Sequence, residues 1–425
     1  PSFLLTTGGI LSCAYAFIIS MLDFKNLTGF RKVVLESLSI SLGILPILLY
    51  FFSEFQPWSI LLTFFFSIVF DVFMLPLLSL IFLISPLFAI TQVNVFFQWL
   101  EIAIRWVASL STRPIILGQP NLPLLILLLL VLSLLYDFRK QKKIRSGLSL
   151  LAILLFSLSK HPLQNEITVV DIGQGDSIFL RDVRGRTIVI DTGGRVEIGK
   201  KEVWQERVRK SNAETTLIPY LKSRGVDRLD KLVLTHTDTD HMGDMLDLAK
   251  YFSIREIYVS KGSMTQSDFV GKLKKMKAKV HIVEVGDRLP IFDSALEVLY
   301  PFGQGDGGND DSIVLYGEFF QTKFLFTGDL EAPGEGQMVT AYPDLRIDVL
   351  KAGHHGSKGS SSPEFLEHIQ PKLALISAGK NNRYQHPHKE TLARFEKNQT
   401  KIFRTDEQGA IRFKGWNSWQ IETVR

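Results

Sequence analysis

The sequence predicts two parts of different class: a multi-span α-helical membrane part over residues 1–160 and a layered α/β sandwich over residues 161–425. Three observations predict this. Charge is unevenly placed: residues 1–160 hold 11 Lys/Arg and 6 Asp/Glu, whereas 161–425 hold 37 of each. All nine histidines also follow residue 160. Finally, long apolar runs give way after residue 165 to short strand and helix patterns. At 425 residues, two or three domains are expected. The single cysteine, Cys13, excludes an internal disulfide and a Cys-rich metal site.

In the first part, apolar runs cover 2–22, 33–52, 57–90, 121–136 and 147–159. One crossing needs about 20 apolar residues, so 57–90 is too long for one, and Pro76 and Pro86 divide it. The run LPLLILLLLVLSLLY has no polar face to offer water. The 147–159 run is short for a span and also fits an interfacial helix, and 96–110 is amphipathic. No basic n-region or small-residue cleavage site marks a signal peptide. The chain starts without Met inside an apolar run, which reads as a piece of a longer multi-span protein. The loops FKNLTGFRK (24–32) and DFRKQKKIRSG (137–147) carry most of this part's basic residues and are expected on the cytoplasmic side. If 147–159 also crosses, everything after residue 160 is extracytoplasmic.

In the second part, EITVVDIGQGDSIFLRD reads as strand, Gly-rich turn, strand, and RTIVIDTGG as a strand ending in a turn. TTLIPYLKSRGV is helical in pattern, and DKLVLTHTDTDHMGDMLDLAKYF runs strand, loop, helix. IREIYVS, VHIVEV, LEVLYPF, SIVLYGEF and TKFLFTGD continue as strands, with SDFVGKLKKMKAK helical. RIDVLKAGHHGS, SPEFLEHIQP, LALISAG, HKETLARFEKN and KIFRTD keep the alternation to the end.

The chemistry sits where strands end. His236, Asp238, Asp240 and His241 form H-x-D-x-D-H in one loop, bringing two imidazoles and two carboxylates into a small volume. Left unpaired near a core edge, such charges are costly, and divalent cations remove that cost. Mixed nitrogen and oxygen donors suit zinc, manganese or iron better than calcium or magnesium. The plain alternative is a solvated acidic turn capping the next helix through Thr239 or Asp240.

The motif resembles the H-x-[HD]-x-D-H signature of the metallo-β-lactamase fold, with DTGG (191–194) before it and FTGD (326–329) and AGHHGS (352–357) after it, in the expected order. More narrowly, DIGQGDS (171–177), NDDSIVL (309–315), HHGS and RYQHPH (383–388) resemble the ComEC family of competence proteins. In that family a multi-span channel domain precedes such a hydrolase domain. The resemblance implies a four-layer αββα sandwich with two divalent ions, Mn²⁺ or Zn²⁺, at one edge of the paired sheets. It implies that His236 and Asp238 hold one ion, that Asp240 and His241 hold the other, and that Asp329 bridges them. One of His354 and His355 completes a site, the H-G-S wording favouring His355. Asp238 stands where many relatives have histidine, which shifts the expected metal toward manganese. The fold's usual middle histidine is absent; Asn309 and Asp310 stand near its place, and His281 reads as a packed strand residue. Asp191 is expected to orient a ligand histidine, and His386 to serve the substrate phosphate or leaving group. Asp171 and Asp176 flank a turn that either shapes the rim of the site or does nothing chemical.

Implied function is phosphodiester hydrolysis on DNA at the outer face of the cell membrane, with Asp240 as a catalytic group and one strand degraded while the other passes the channel. Partners are then DNA, the lipid bilayer, and other competence proteins or a second copy of the chain. The second part is formally neutral, so nucleic-acid contact must be local. Its candidates are the insertion-like 199–210 stretch, with Lys200, Lys201, Trp204 and Arg207, and the lysines of 271–279, which fit a solvated helix face. Two rivals stand beside this reading: a DNA-translocating channel whose second domain binds metal and DNA with little catalysis, and a membrane-anchored phosphodiesterase acting on other diesters.

Overall fold

The computed structural model describes residues 29–59, 62, 65–66, 69–84, 93–109, 113–138, 140–161, 163–195 and 210–425. The chain divides into two units: Pro1–Lys160 with Lys222–Gly225, and His161–Leu221 with Val226–Arg425.

The first unit is helical, with Gly29–Phe52, Leu75–Ile84, Val93–Ser109, Leu122–Asp137 and Lys142–Lys160. Asn121 caps Leu122–Asp137 by accepting from Leu124 N–H at 3.0 Å, and a proline occupies the first turn. That helix packs on Lys142–Lys160 through buried Leu128, Val131, Ala152 and Leu155. Among the described residues, no helix is long and apolar enough to cross a membrane. The physical reasons are length and charge. Leu122–Asp137 has 16 residues, reaching about 24 Å against a hydrocarbon core of about 30 Å. Lys142–Lys160 spends its first turn on lysine and arginine. The described helices thus do not confirm the multi-span expectation; the first apolar run, 2–22, and parts of 57–90 lie outside the described residues.

The second unit holds two mixed sheets. The first contains β1 (Asn165–Val169), β2 (Ile178–Arg181), β3 (Thr187–Ile190), β4 (Arg228–Leu234), β5 (Ser253–Val259) and β6 (Lys279–Ile282). The second contains β7 (Arg288–Ile291), β8 (Ser294–Tyr300), β9 (Val314–Phe319), β10 (Thr322–Phe326), β11 (Val349–Lys351), β12 (Leu373–Ile376) and β13 (Lys401–Arg404). The last strands, β14 (Ile411–Gly415) and β15 (Gln420–Thr423), return to the first sheet, which runs β15-β14-β1-β2-β3-β4-β5-β6. The second runs β13-β12-β11-β10-β9-β8-β7. Each sheet is antiparallel in one half and parallel in the other: β3 to β6 are parallel neighbours, as are β10 to β13.

Strand alternation explains the layers. Ile167, Val169, Ile188 and Ile190 of the first sheet meet Leu296, Val298, Leu315, Phe324 and Phe326 of the second in one buried cluster. The intervening Val314, Leu325 and Leu350 point the other way, onto a second cluster with Met338, Phe365 and Phe395 from helices Ala332–Ala341, Pro363–Ile369 and Lys389–Lys397. Helix Met245–Tyr251 touches β5, with Met245 and Leu248 buried. The result is the αββα order. Each fully buried Phe or Leu contributes roughly 1.5–3 kcal/mol relative to exposure.

Candidate metal centre

The centre lies where the parallel strands end. Their carboxyl ends bring five loops together: Asp191 after β3, Thr235–His241 after β4, Thr327–Asp329 after β10, Ala352–His355 after β11 and Ser377 after β12. Open α/β sheets place ligands at such strand ends. Glycine makes the close approaches possible. A Cβ on Gly194 would sit 1.9 Å from Thr239 O, and one on Gly175 would sit 2.2 Å from Asp240 O. The DTGG and GQGD turns thus press directly on the backbone of the H-x-D-x-D-H loop.

Four imidazoles are each held at Nδ1. His241 Nδ1 meets Asp191 Oδ2 at 2.8 Å. His355 Nδ1 meets Ser377 O at 3.0 Å. His236 Nδ1 lies 3.0 Å from Thr235 Oγ1 and 3.3 Å from Ser312 Oγ. His354 Nδ1 meets Glu331 Oε1 at 2.8 Å. An anchored Nδ1 leaves Nε2 as the ligand atom, the usual arrangement around bound metals. His354 and His355 both adopt left-handed backbone, φ 44° and 53°, rare for non-glycine residues and a mark of a constrained site.

The Nε2 atoms converge on carboxylates. His241 Nε2 is 3.3 Å from His355 Nε2 and 3.1 Å from Asp329 Oδ1. His355 Nε2 is 3.4 Å from both Asp240 Oδ2 and Asp329 Oδ2. A tetrahedron with centre-to-ligand lengths of about 2.0–2.1 Å has edges of about 3.3–3.4 Å, and the separations of His355 Nε2 from His241, Asp240 and Asp329 are of that size. A looser position lies beside it: His236 Nε2 is 3.8 Å from the half-exposed Asp238, and His354 Nε2 is 3.9 Å from Asp329 Oδ2. The buried His236 Nε2 has no hydrogen-bond partner, an orphaning that a cation relieves.

Electrostatics point the same way. Burial alone would raise the Asp329 carboxyl, but His241 and His355 outweigh it and hold it well below the usual range. Burial alone would lower His241, yet Asp329 and Asp191 drive it well above its ordinary value. His355 is pushed up to about 10: Asp329 and Asp176 outweigh the burial that opposes them. Burial, then His241, takes His236 down to about 3. Without a cation, the centre thus draws positive charge onto its own imidazoles.

Sequence reasoning underrated Asp176. It is buried, its Oδ1 lies 3.3 Å from His355 Nδ1, and its Oδ2 pairs at 2.6 Å with Lys351. Asp176 clusters with His241, Asp329 and His355 within metal-ligand range. However, it faces the Nδ1 side of His355 and is engaged by lysine, so it supports that imidazole rather than sharing its ion. Lys351 is fully buried on β11 and also donates to Ala352 O at 2.9 Å. The available signal was a lone cation ending the apolar strand RIDVLK. Glu331, beside His354, had no motif to mark it.

The remaining candidates are placed as follows. Asn309 Nδ2 is 3.4 Å from His354 Nδ1, beside the looser position. Asp310 touches no imidazole; its Oδ1 accepts from Glu331 N–H at 3.1 Å. His386 is buried with Nδ1 unpartnered, its ring stacked on Tyr384 at 5.7 Å and 5.4 Å from the His354 ring. Burial, then His355 and His354, lowers His386 to about 4. Gln174, Asp240, Asp329, His354, Tyr384 and His386 line a cavity of about 310 Å³. Lys200, Lys201, Trp204 and Arg207 lie outside the described residues.

Residues 170–380 match the model of the metallo-beta-lactamase superfamily, and residues 1–141 match that of the competence protein family. ComE operon protein 3 of Bacillus subtilis (strain 168) is 34% identical over 445 residues, covering 97% of this chain and 56% of that protein. Competence protein ComA of Neisseria gonorrhoeae is 32% identical over 317 residues, covering 72% and 41%. The chain spans about half the length of these curated relatives. A solved metallo-beta-lactamase fold protein, YhfI from Bacillus subtilis, superposes with a TM-score of 0.40 at 11% identity, covering 59% of this chain and 100% of that one.

Proposed function

This chain belongs with the competence proteins and carries a metallo-beta-lactamase superfamily domain, and from that premise we propose that it serves DNA uptake at the cell membrane by hydrolysing phosphodiester bonds of the strand that is not transported. The observation that carries the hydrolytic reading is the set of four Nδ1-anchored imidazoles, of which His241, His354 and His355 turn Nε2 toward Asp329 or Asp240 and His236 turns it toward Asp238. Asp240, His241, Asp329 and His355 would hold one divalent ion, and His236, Asp238 and His354 would hold a second, more weakly. The Asp238 carboxylate hardens its donor set, which favours Mn²⁺, and Zn²⁺ remains compatible.

Divalent cations bound there supply Lewis-acid polarisation of a phosphoryl oxygen and acidify water. The protein's own groups do the rest. Burial raises the Asp240 carboxyl, but His355 and His241 outweigh it and keep it ionised, so its oxygen that does not face His355 Nε2 accepts the proton of the attacking water. His386 is neutral near pH 7, so it offers a ring N–H to the leaving oxygen as a hydrogen bond rather than as a full charge. Asp191 and Ser377 keep His241 and His355 in the required tautomer.

Membrane attachment is supported by the first unit's surface, where Phe82, Leu83, Ile126, Leu130, Ile153 and Leu154 are exposed. Apolar surface of that density is suited to lipid. We place the chain as a multi-pass membrane protein with its second unit extracytoplasmic. The test uses the full chain with Mn²⁺ or Zn²⁺ on single- and double-stranded DNA. We expect metal-dependent cleavage that Asp240→Ala lowers at least about 100-fold. If neither metal supports DNA cleavage while a small phosphodiester is cleaved, the DNA reading fails. DNA transit that survives Asp240→Ala in cells separates hydrolysis from transport.

A further inference from the structure

We infer that a basic cleft beside the metal centre grips non-scissile phosphates of a nucleic-acid strand through Arg195, Lys380 and Arg383, a subsite that rests on the diester-hydrolase reading above. The cleft measures about 520 Å³ and adjoins the metal-lined cavity, with Gln174, Asp240 and Tyr384 lining both. A substrate with one diester is satisfied in the smaller cavity. Cationic side chains that continue along the neighbouring cleft serve a substrate whose anionic charge also continues.

The cations are set in place. Arg195 donates to Asn212 Oδ1 at 3.1 Å. The Arg383 guanidinium lies over the Tyr384 ring at 4.5 Å and bonds its hydroxyl. Guanidinium groups fixed this way lose less freedom when they take a phosphate. Among the described residues, none of the three is in an ion pair with a carboxylate. Among the described residues, Asp171 is the one other acid lining the cleft besides Asp240, and it is paired with Arg425 at 2.8 Å. The second part of the chain is neutral overall, with 37 bases and 37 acids. Three uncompensated cations beside the reacting centre are therefore a local feature, and they follow the backbone of a single strand as such clefts do. A phospholipid, with its charge at a single headgroup, leaves the cleft unused.

The test measures binding of the full chain to a labelled single strand of about 12 nucleotides, by fluorescence anisotropy in EDTA across a range of salt. Without metal, hydrolysis plays no part, so this result stands or falls separately from the cleavage assay. For single strands, log K falls with log salt by about 0.7 per neutralised phosphate. The triple variant Arg195→Ala/Lys380→Ala/Arg383→Ala is expected to lose about 2 from that slope and at least about 10-fold in affinity. Arg383→Lys, which keeps the charge but loses the stack on Tyr384, keeps the slope and binds more weakly. Lys274→Ala/Lys275→Ala, removing exposed lysines elsewhere, leaves both unchanged. The inference is overturned if the triple variant matches wild type or if the Lys274/Lys275 variant weakens binding equally. It also fails if a dinucleotide or phospholipid vesicles compete as well as unlabelled strand.

Discussion

Asp191→Asn isolates ligand geometry from fold. The Asp191 carboxylate is buried and accepts from Thr235 N–H at 2.8 Å, Thr235 Oγ1 at 2.7 Å and His241 Nδ1 at 2.8 Å. Its backbone is left-handed, φ 58°, a conformation asparagine tolerates. After substitution, Oδ1 still accepts from Thr235 N–H, but an NH₂ stands where Oδ2 received His241 Nδ1–H. Two donors then face each other, and the single proton that His241 keeps when a cation displaces the other lies on Nε2. That proton points at Asp329 Oδ1, 3.1 Å away, where a cation needs a lone pair. The lost bond is charge-assisted, worth about 1.5–3 kcal/mol. At about 1.4 kcal/mol per factor of ten, affinity falls about 10- to 100-fold. Isothermal titration with Mn²⁺ and with Zn²⁺ reads the change, and denaturant unfolding of metal-free protein checks the fold. Affinity within twofold of wild type in an intact fold would refute the claim that Asp191 sets the tautomer of His241.

Three further outcomes are expected. Lys351→Met strands the buried Asp176 carboxylate and costs about 3–5 kcal/mol of stability; Asp176→Leu with Lys351→Met recovers most of it in chemical denaturation, and a loss below about 1 kcal/mol for the single variant contradicts the buried pair. Metal affinity rises with pH, because His355, held up at about 10, and His241, held well above its ordinary value, carry protons at neutral pH that a cation must displace. Affinity is lost as pH falls, by about tenfold per unit for each proton released, and titration in buffers of different ionisation enthalpy counts those protons; none released refutes the assignment. Gly194→Ala drives a Cβ toward Thr239 O, 1.9 Å away. This backbone neighbour cannot swing aside, so the loop of His236 and His241 shifts, stability drops by about 1–3 kcal/mol, and Mn²⁺ affinity drops with it. Unchanged melting and metal titration would show that the loop has slack.

The sequence by itself determined most of the order of strands and helices after residue 165, though not the strands Arg288–Ile291, Ile411–Gly415 and Gln420–Thr423, because strand and helix periods and glycine turns are local signals. It also singled out the loop His236–His241, since six consecutive positions carry four donor side chains. Tertiary structure alone decided which side of each imidazole faces the ions. Asp191, Ser377, Glu331 and Ser312 come from separate loops and meet the histidines only when both sheets close. It also decided the role of Asp176: 175 positions separate it from Lys351, and no local pattern says that two charges so far apart share one buried contact. The helices before residue 160 illustrate the opposite limit. Apolar composition marks where they lie, but their lengths are set by capping and by the charges at their starts. Pairing across distant loops follows from closure of the αββα layers, a property of the packed chain that is written in no single segment.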